Sequence, residues 1–278
     1  MDRPIISFLS DFGARDPSAA ICRGVIWGIA RDARILDITH EVRKFAVRDG
    51  AFLLSNALPY LPVGVHLAVV DPGVGTARRA IALRAARGDF LVGPDNGLLV
   101  PPAERLGGIL EARELAAREL WLPTTTATFH GRDIFAPVAA HLASGTPFES
   151  VGPAIAPGSL VRLPWPTAEV RDGELRTGVL YVDTFGNVKL GASAADLGAA
   201  LGALATGVTL AVEIGAPSDA RIDLPWVTTF GDVAVGIACL YEDSFGRLSL
   251  AANQGRAASL LGVAEDARIV IRRGARHG

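Results

Sequence analysis

Residues 5–38 read IISFLSDFGARDPSAAICRGVIWGIARDARILDI, and this stretch decides the fold. Ile5–Leu9 is a short apolar run suited to a buried strand, and Ser10-Asp11-Phe12-Gly13 ends it. From Ser18 to Ala30 the spacing predicts a helix. Ile35–Ile38 is a second strand, closing on Thr39-His40-Glu41. The alternation continues outward. Val47 to Leu61 reads as a helix stopped by Pro62 and Gly64. His66–Val70 is a buried strand with the tight turn Asp71-Pro72-Gly73-Val74-Gly75 behind it. Ala80–Leu83 and Phe90–Val92 are two more strands, and a helix runs from His130 to about Leu142, ended by Ser144-Gly145. Strands alternating with helices predict an α/β domain with a mostly parallel sheet.

Beyond this the texture changes. Residues 152–166 hold Pro153, Pro157, Pro164 and Pro166, the composition of an exposed connector. After it come short β-rich segments: Thr177–Val182, Thr209–Ile214, Val233–Tyr241, Arg247–Ala251 and Arg268–Arg272. Gly-rich turns and one helical stretch, Ala194–Ala205, separate them. A smaller, mainly antiparallel C-terminal β-barrel or sandwich domain is expected, with the division at 1–163 and 164–278. No internal repeat is expected.

The 278 residues suffice for one large domain or two ordinary ones, and the hydrophobic half of them can bury a sizeable core. A net charge of -2 without a basic stripe gives nucleic acid no electrostatic footprint. Cys22 and Cys239 lie far apart in apolar surroundings and read as buried thiols of a reducing compartment. The N-terminus lacks the basic and long apolar segments of a signal peptide. No uncharged apolar run approaches the ~20 residues of a membrane span. A soluble, cytoplasmic protein without nucleic-acid or membrane partners is expected.

Several polar clusters follow or interrupt apolar runs. Asp11 stands at the end of a strand, where open α/β sheets bind ligands, and its carboxylate can take two ribose hydroxyls. An Asx turn or helix cap is the plainer alternative, and Asp16 and Ser18 are candidate caps for the next helix. Asp71 is the strongest single carboxylate. Arg78 and Arg79 share its loop, and an arginine beside it would keep it ionised; a purely structural pair is the alternative. No Gly-Lys-Ser/Thr end follows these glycines, which disfavours a nucleoside-triphosphate loop. Asp95-Asn96-Gly97 is a turn first and a site second.

His130 lies in Thr128-Phe129-His130-Gly131-Arg132-Asp133, where an imidazole beside an arginine and a carboxylate can hold and polarise water. Histidines at the head of helices are more often caps or core residues. Asp183-Thr184-Phe185-Gly186-Asn187 can hold an amino group and stack a base, and Phe230 and Phe245 supply further rings. With no His-Glu-X-X-His, His-X-His or Cys cluster, no metal is expected. There is no Gly-X-Ser-X-Gly elbow of a serine hydrolase either.

Six stretches taken in order resemble one family over nearly the whole chain. They are Phe8–Gly13, Val70–Thr76, Gly93–Gly97, Thr128–Asp133, Asp183–Asn187 and Asn253–Gly255. The family is that of the S-adenosylmethionine (SAM) hydrolases (adenosine-forming), also called SAM hydroxide adenosyltransferases, whose relatives are the fluorinase and chlorinase. The resemblance implies an N-terminal α/β domain, a C-terminal β-barrel domain and a homotrimer. Its active sites would lie between the N-domain of one subunit and the C-domain of the next. SAM would be the substrate, with no cofactor. Asp71, Arg78 and His130 match the water-activating triad, and Asp11 the ribose-binding aspartate. Asp183 matches the residue holding the methionine amine, and Asn187 an adenine contact, with Phe185 in the same substrate-binding stretch. Phe230, Ser244 and Phe245 match positions lining the nucleoside and methionine ends, while Asn253 and Ala257 lie in a stretch used for adenine.

The halogenases carry an aromatic residue where Asp71 stands and a serine where Gly131 stands, so the resemblance favours hydrolysis over halogenation. This chain departs from the family in reading Val188-Lys189-Leu190-Gly191 where a Thr-Asn pair is common, and in placing Asp243 where Asn is common. The alternatives to hydrolysis of SAM to adenosine and methionine are halogenase-type substitution, a metal-dependent nucleotide hydrolase and a non-catalytic SAM or adenosine sensor.

Overall fold

The computed structural model describes residues 3–216 and 218–274. The chain forms two compact units, Met1–Leu163 and Pro164–Gly278. In the first unit the elements run β1 (Ile5–Ser10), α1 (Ser18–Ile29), β2 (Arg34–Thr39), α2 (Val47–Ala57), β3 (Val65–Val69), β4 (Ala80–Ala85), β5 (Phe90–Pro94), α3 (Val100–Arg105), β6 (Ile109–Glu114), α4 (Ala136–Ala143) and β7 (Ala154–Ile155). They build a seven-stranded sheet in the order β2-β1-β3-β5-β4-β6-β7. It is parallel from β2 to β5 and antiparallel from there to β7.

Alternate residues of a strand face opposite ways, and helices cover both faces. Ile6, Phe8, Leu67 and Val69 share a core with α1 and α4, into which α1 sends Ala19, Cys22 and Ile26 at helical spacing. On the other face α2 approaches closely at Gly50. A Cβ there would lie 2.9 Å from Leu98 and 3.0 Å from Val70. Neither Asp16 nor Ser18 caps α1: its N-cap is Pro17, with no side-chain hydrogen bond. The expected helix from His130 is not continuous α-helix either. Gly131–Phe135 forms a π turn before α4. Pro137 has no N–H to give to the Asp133 carbonyl, which accepts from Leu122 N–H instead.

The second unit holds β8 (Glu169–Arg171), β9 (Glu174–Val182), β10 (Val188–Leu190), α5 (Ala194–Leu201), β11 (Thr209–Ile214), β12 (Ala220–Pro225), β13 (Ala238–Glu242), β14 (Leu248–Ala252), α6 (Ala257–Leu260) and β15 (Arg268–Arg273). Its strands are all antiparallel, in the order β12-β11-β15-β9-β10-β14-β13, with β8 added beside β9. Trp226, just past β12, bridges to Leu240 of β13, so the row nearly closes into a barrel. The expected strand Val233–Tyr241 is short, starting at Ala238, because the chain turns first: Ile237 N–H bonds the Ala234 carbonyl at 3.1 Å and Gly236 takes φ +83°. β12 carries Arg221, Asp223 and Pro225 among its few apolar residues, a composition that hid it.

An internal repeat is present after all. Asp183-Thr-Phe-Gly-Asn-Val-Lys-Leu190 joins β9 to β10, and Asp243-Ser-Phe-Gly-Arg-Leu-Ser-Leu250 joins β13 to β14. In each, the aspartate Oδ1 accepts N–H bonds from the phenylalanine and from the residue two further on. The distances are 2.9 and 2.9 Å in the first turn and 2.9 and 3.1 Å in the second. The glycines, Gly186 and Gly246, both take positive φ, which the turn requires. The two hairpins join where β10 pairs with β14, Lys189 opposite Ser249.

Candidate active site

Asp11 and Asp71 follow the carboxyl ends of neighbouring parallel strands, β1 and β3. They line one cavity of about 400 Å³ together with Phe12, Phe45, Phe129 and His130. This is where the parallel part of such a sheet opens to ligands. Asp11 is 8% exposed. Its Oδ2 accepts from Phe45 N–H at 3.0 Å, and Lys44 Nζ donates to its carbonyl oxygen. Phe45 has φ +66° and is 69% exposed, a strained conformation at the lip of the cavity. Sequence reasoning missed Lys44 and Phe45. Their signal is only an aromatic beside a lysine ahead of α2, which no periodicity marks.

Of the cavity's lining residues, Asp71 and His130 are joined by Arg78, which lies between them. Arg78 grips Asp71 with two donors, Nε to Oδ1 at 3.1 Å and Nη2 to Oδ2. Nη2 also lies 3.1 Å from His130 Nδ1. Both members of the ion pair are buried, and the guanidinium stacks 5.2 Å from the centre of the Phe135 ring. Arg78 Nη1 is buried with no hydrogen-bond partner among the described residues. Guanidinium nitrogens only donate, so Nδ1 must be the accepting nitrogen of His130, and a neutral ring then carries its proton on Nε2. Burial, and after it the Arg78 charge, hold His130 below the ordinary imidazole value against the weaker opposing pull of Asp71 and Asp133.

That direction gives a pH prediction. Protonating Nδ1 breaks its bond to Arg78, so activity falls as pH drops through the lowered pKa of His130. The acid limb of kcat/KM is expected at a midpoint below about 6.5. A midpoint above that value, or an unchanged limb in His130→Asn, contradicts it.

The neighbours of His130 have structural work. Asp133 is fully buried and accepts from Thr126 N–H (2.7 Å), Thr126 Oγ1 (2.8 Å) and Arg132 Nε (2.5 Å). Gly131 is required by the cavity wall: a Cβ there would stand 2.9 Å from Cζ of Phe12. Gly131→Ser therefore displaces the Phe12 ring, and overpacking predicts a loss of about 1–3 kcal/mol in stability by chemical denaturation. Unchanged stability would show that the ring yields freely.

Asp95 is also structural. It binds Arg79 at 2.5 and 2.9 Å and Val161 N–H at 2.9 Å. One Ser-His-Asp line does exist, in the middle of the sheet: Ser7 Oγ is 2.8 Å from His66 Nδ1, and His66 Nε2 is 2.9 Å from Asp89. All three are sealed at 0% exposure, so no substrate reaches them. Burial pushes the Cys22 thiol up to about 12 and the Cys239 thiol up to about 11, which leaves both unreactive.

In the second unit, Asp183, Phe185 and Asn187 lie in the first copy of the repeated turn, and Ser244 and Phe245 in the second. The first copy sits against the stretch holding Ala257. Ala258 N–H donates to the Gly186 carbonyl at 2.9 Å, and Arg256 Nη1 to that of Thr184 at 2.9 Å. Asn253 Nδ2 donates to the Val233 carbonyl at 2.7 Å, tying it to the segment that follows Phe230. Phe185, Phe230 and Phe245 are exposed. Asp183 and Asn187 also bond each other, Nδ2 to Oδ2 at 2.9 Å. Among the described residues no group of three or more His, Cys, Asp or Glu side chains stands close enough to hold a metal ion. Among the described residues no helix is long and apolar enough to cross a membrane.

Comparison with known proteins agrees over both units. Residues 6–152 match the family model of the SAM hydroxide adenosyltransferase N-terminal domain, and residues 177–270 that of its C-terminal domain. A protein of Salinispora tropica named (R)-S-adenosyl-L-methionine hydrolase is 47% identical over 98% of both chains. One of the same name from Thermus thermophilus is 43% identical, over 95% of this chain and 97% of that one. A fluorinase of Actinopolyspora mzabensis is more distant, at 31% identity over 90% of this chain and 91% of its own. Among solved structures, an uncharacterized conserved protein from Thermotoga maritima superposes with a TM-score of 0.88 at 37% identity, covering 96% of this chain and all of that one.

Proposed function

This chain belongs to the SAM hydroxide adenosyltransferase family, and from that premise we propose that it hydrolyses SAM to adenosine and L-methionine. The observation that carries the proposal is the hydrogen-bonded line Asp71–Arg78–His130, whose two ends line the cavity. SAM has a sulfonium at C5′, so methionine departs as a neutral thioether and the leaving group needs no proton. The demand falls on water, a weak nucleophile. Water oxygen bonds to C5′, the C5′–S electron pair returns to sulfur, and the released proton passes to the protein and then to solvent.

The hydrogen-bond directions divide the labour. His130, its Nδ1 engaged by Arg78, presents Nε2–H and orients the water by donating to it. The charge of Arg78, whose Nη1 is without a partner among the described residues, stabilises hydroxide character as it develops. Asp71 keeps unused lone pairs and is the residue left to take the proton. Asp11 holds the ribose hydroxyls, with Phe45 and Phe12 beside it. Asp183 holds the methionine amine. Phe185, Asn187, Phe230, Ser244, Phe245, Asn253 and Ala257 line the nucleoside and methionine ends.

The family resemblance further supports a homotrimer with active sites shared between subunits, in the cytoplasm. Sedimentation at three times the chain mass of 29.0 kDa is expected, and a monomer would overturn it. Because the leaving group needs no Lewis acid, no cofactor is required. Pure protein incubated with SAM should release adenosine and methionine in equal amounts, unchanged by exhaustive chelation. Binding of SAM without products would make the protein a sensor. Loss of turnover on chelation would make it a metal enzyme.

A further inference from the structure

The two copies of the aspartate turn share the Oδ1 bonds and differ in the engagement of the second carboxylate oxygen. In the second copy Asp243 Oδ2 accepts from Ser249 Oγ at 3.1 Å and is ion-paired with Lys189 Nζ at 3.0 Å. In the first copy Asp183 Oδ2 accepts from Asn187 Nδ2 at 2.9 Å, and the same Lys189 Nζ stands 3.8 Å away. The Asp243 side chain is 3% exposed and that of Asp183 20%. One turn therefore already grips a primary ammonium, supplied by the chain itself. Its twin offers the same acceptor, more open, with that ammonium at its edge.

We propose that Lys189 is a specificity-determining residue: shared between Asp243 and Asp183, its ammonium competes with the substrate's primary amine for Asp183 and sets how strongly the chain selects substrates bearing that amine. This rests on the assignment of SAM as substrate. Lys189 is nearly buried, and its ammonium faces the two carboxylates and, 5.9 Å away, the Tyr241 ring. Burial works to raise Asp243, yet the bond from Lys189, its charge and the N–H groups of Arg247 and Phe245 outweigh it and hold the carboxyl below the ordinary range. Asp243 thus stays ionised and draws Lys189 away from Asp183. The cluster carries two negative charges and one positive, and an incoming amine completes the balance.

The test is the ratio of kcat/KM for SAM to that for its des-amino analogue, in which hydrogen replaces the α-amine. Asp243→Asn keeps an Oδ1 for both turn N–H groups but releases Lys189 to Asp183, so the ratio is expected to fall about fivefold. Lys189→Met with Asp243→Asn removes both charges together and leaves Asp183 unopposed, so the ratio is expected to rise about fivefold. A merely structural role lowers activity on both substrates alike and moves neither ratio. Unmoved ratios, or shifts of the same sign, overturn the proposal while SAM hydrolysis stands. A ratio of one in the unaltered chain removes Asp183 as the amine's partner and the proposal with it. Absence of SAM turnover in the unaltered chain removes the function as well.

Discussion

Asp71→Asn is expected to lower kcat for SAM by about 10²–10⁴-fold, the range typical of a missing general base. The substitution keeps the side chain's shape, and one oxygen can still accept from Arg78. What goes is the charge and the oxygen able to take the water's proton. The cavity, Asp11 and the second unit are untouched, so KM should change little and the chain should still fold, with some stability lost because the buried Arg78 then lacks its counter-ion. A rise confined to KM would instead make Asp71 a substrate holder. Retained kcat would transfer the proton to another acceptor and end the present assignment.

The second large effect belongs to Arg78, which joins the other two residues. Arg78→Lys keeps the charge but offers a compact ammonium in place of a fork that reaches Asp71 twice and His130 once. Loss of that geometry is expected to lower kcat about 10²-fold, the scale of an ångström's misplacement. Arg78→Met goes further. It leaves the Asp71 carboxylate, 5% exposed, without its counter-ion, and breaking a buried pair from one side costs about 3–5 kcal/mol. Chemical denaturation should register that loss in Met and little of it in Lys. Equal stability in both would mean that the carboxylate reaches water.

Legibility of the fold followed burial. β3, buried on both faces, reads as an apolar run broken only by His66, and the run of β1 within Ile5–Leu9 is broken only by Ser7. The alternation that brings Asp11 and Asp71 to adjacent strand ends was therefore visible. β12, with Arg221 and Asp223 facing outward and Pro225 at its end, was not, because only its partners make it a strand. The π turn before α4 escaped for a related reason: it depends on the distant donor Leu122 N–H.

In the site, spacing suggested that Asp71 and Arg78 could meet on one loop. Only the fold brings His130, 52 residues on, to the other side of the guanidinium. Phe45 was hidden because backbone φ leaves no trace in a non-glycine residue. Lys189 and Asp243 stood out in the sequence as departures from the family pattern, and the structure makes them partners in one ion pair. Residues 54 positions apart in the chain thus meet in space, across the β10–β14 pairing.

The central claim, attack of water on C5′, is tested most directly by isotope. Protein, SAM and ¹⁸O-labelled water are incubated, and the products are separated and weighed by mass spectrometry. The label is expected in the 5′-hydroxyl of adenosine and nowhere in methionine. Unlabelled adenosine, or label carried by methionine, would contradict it.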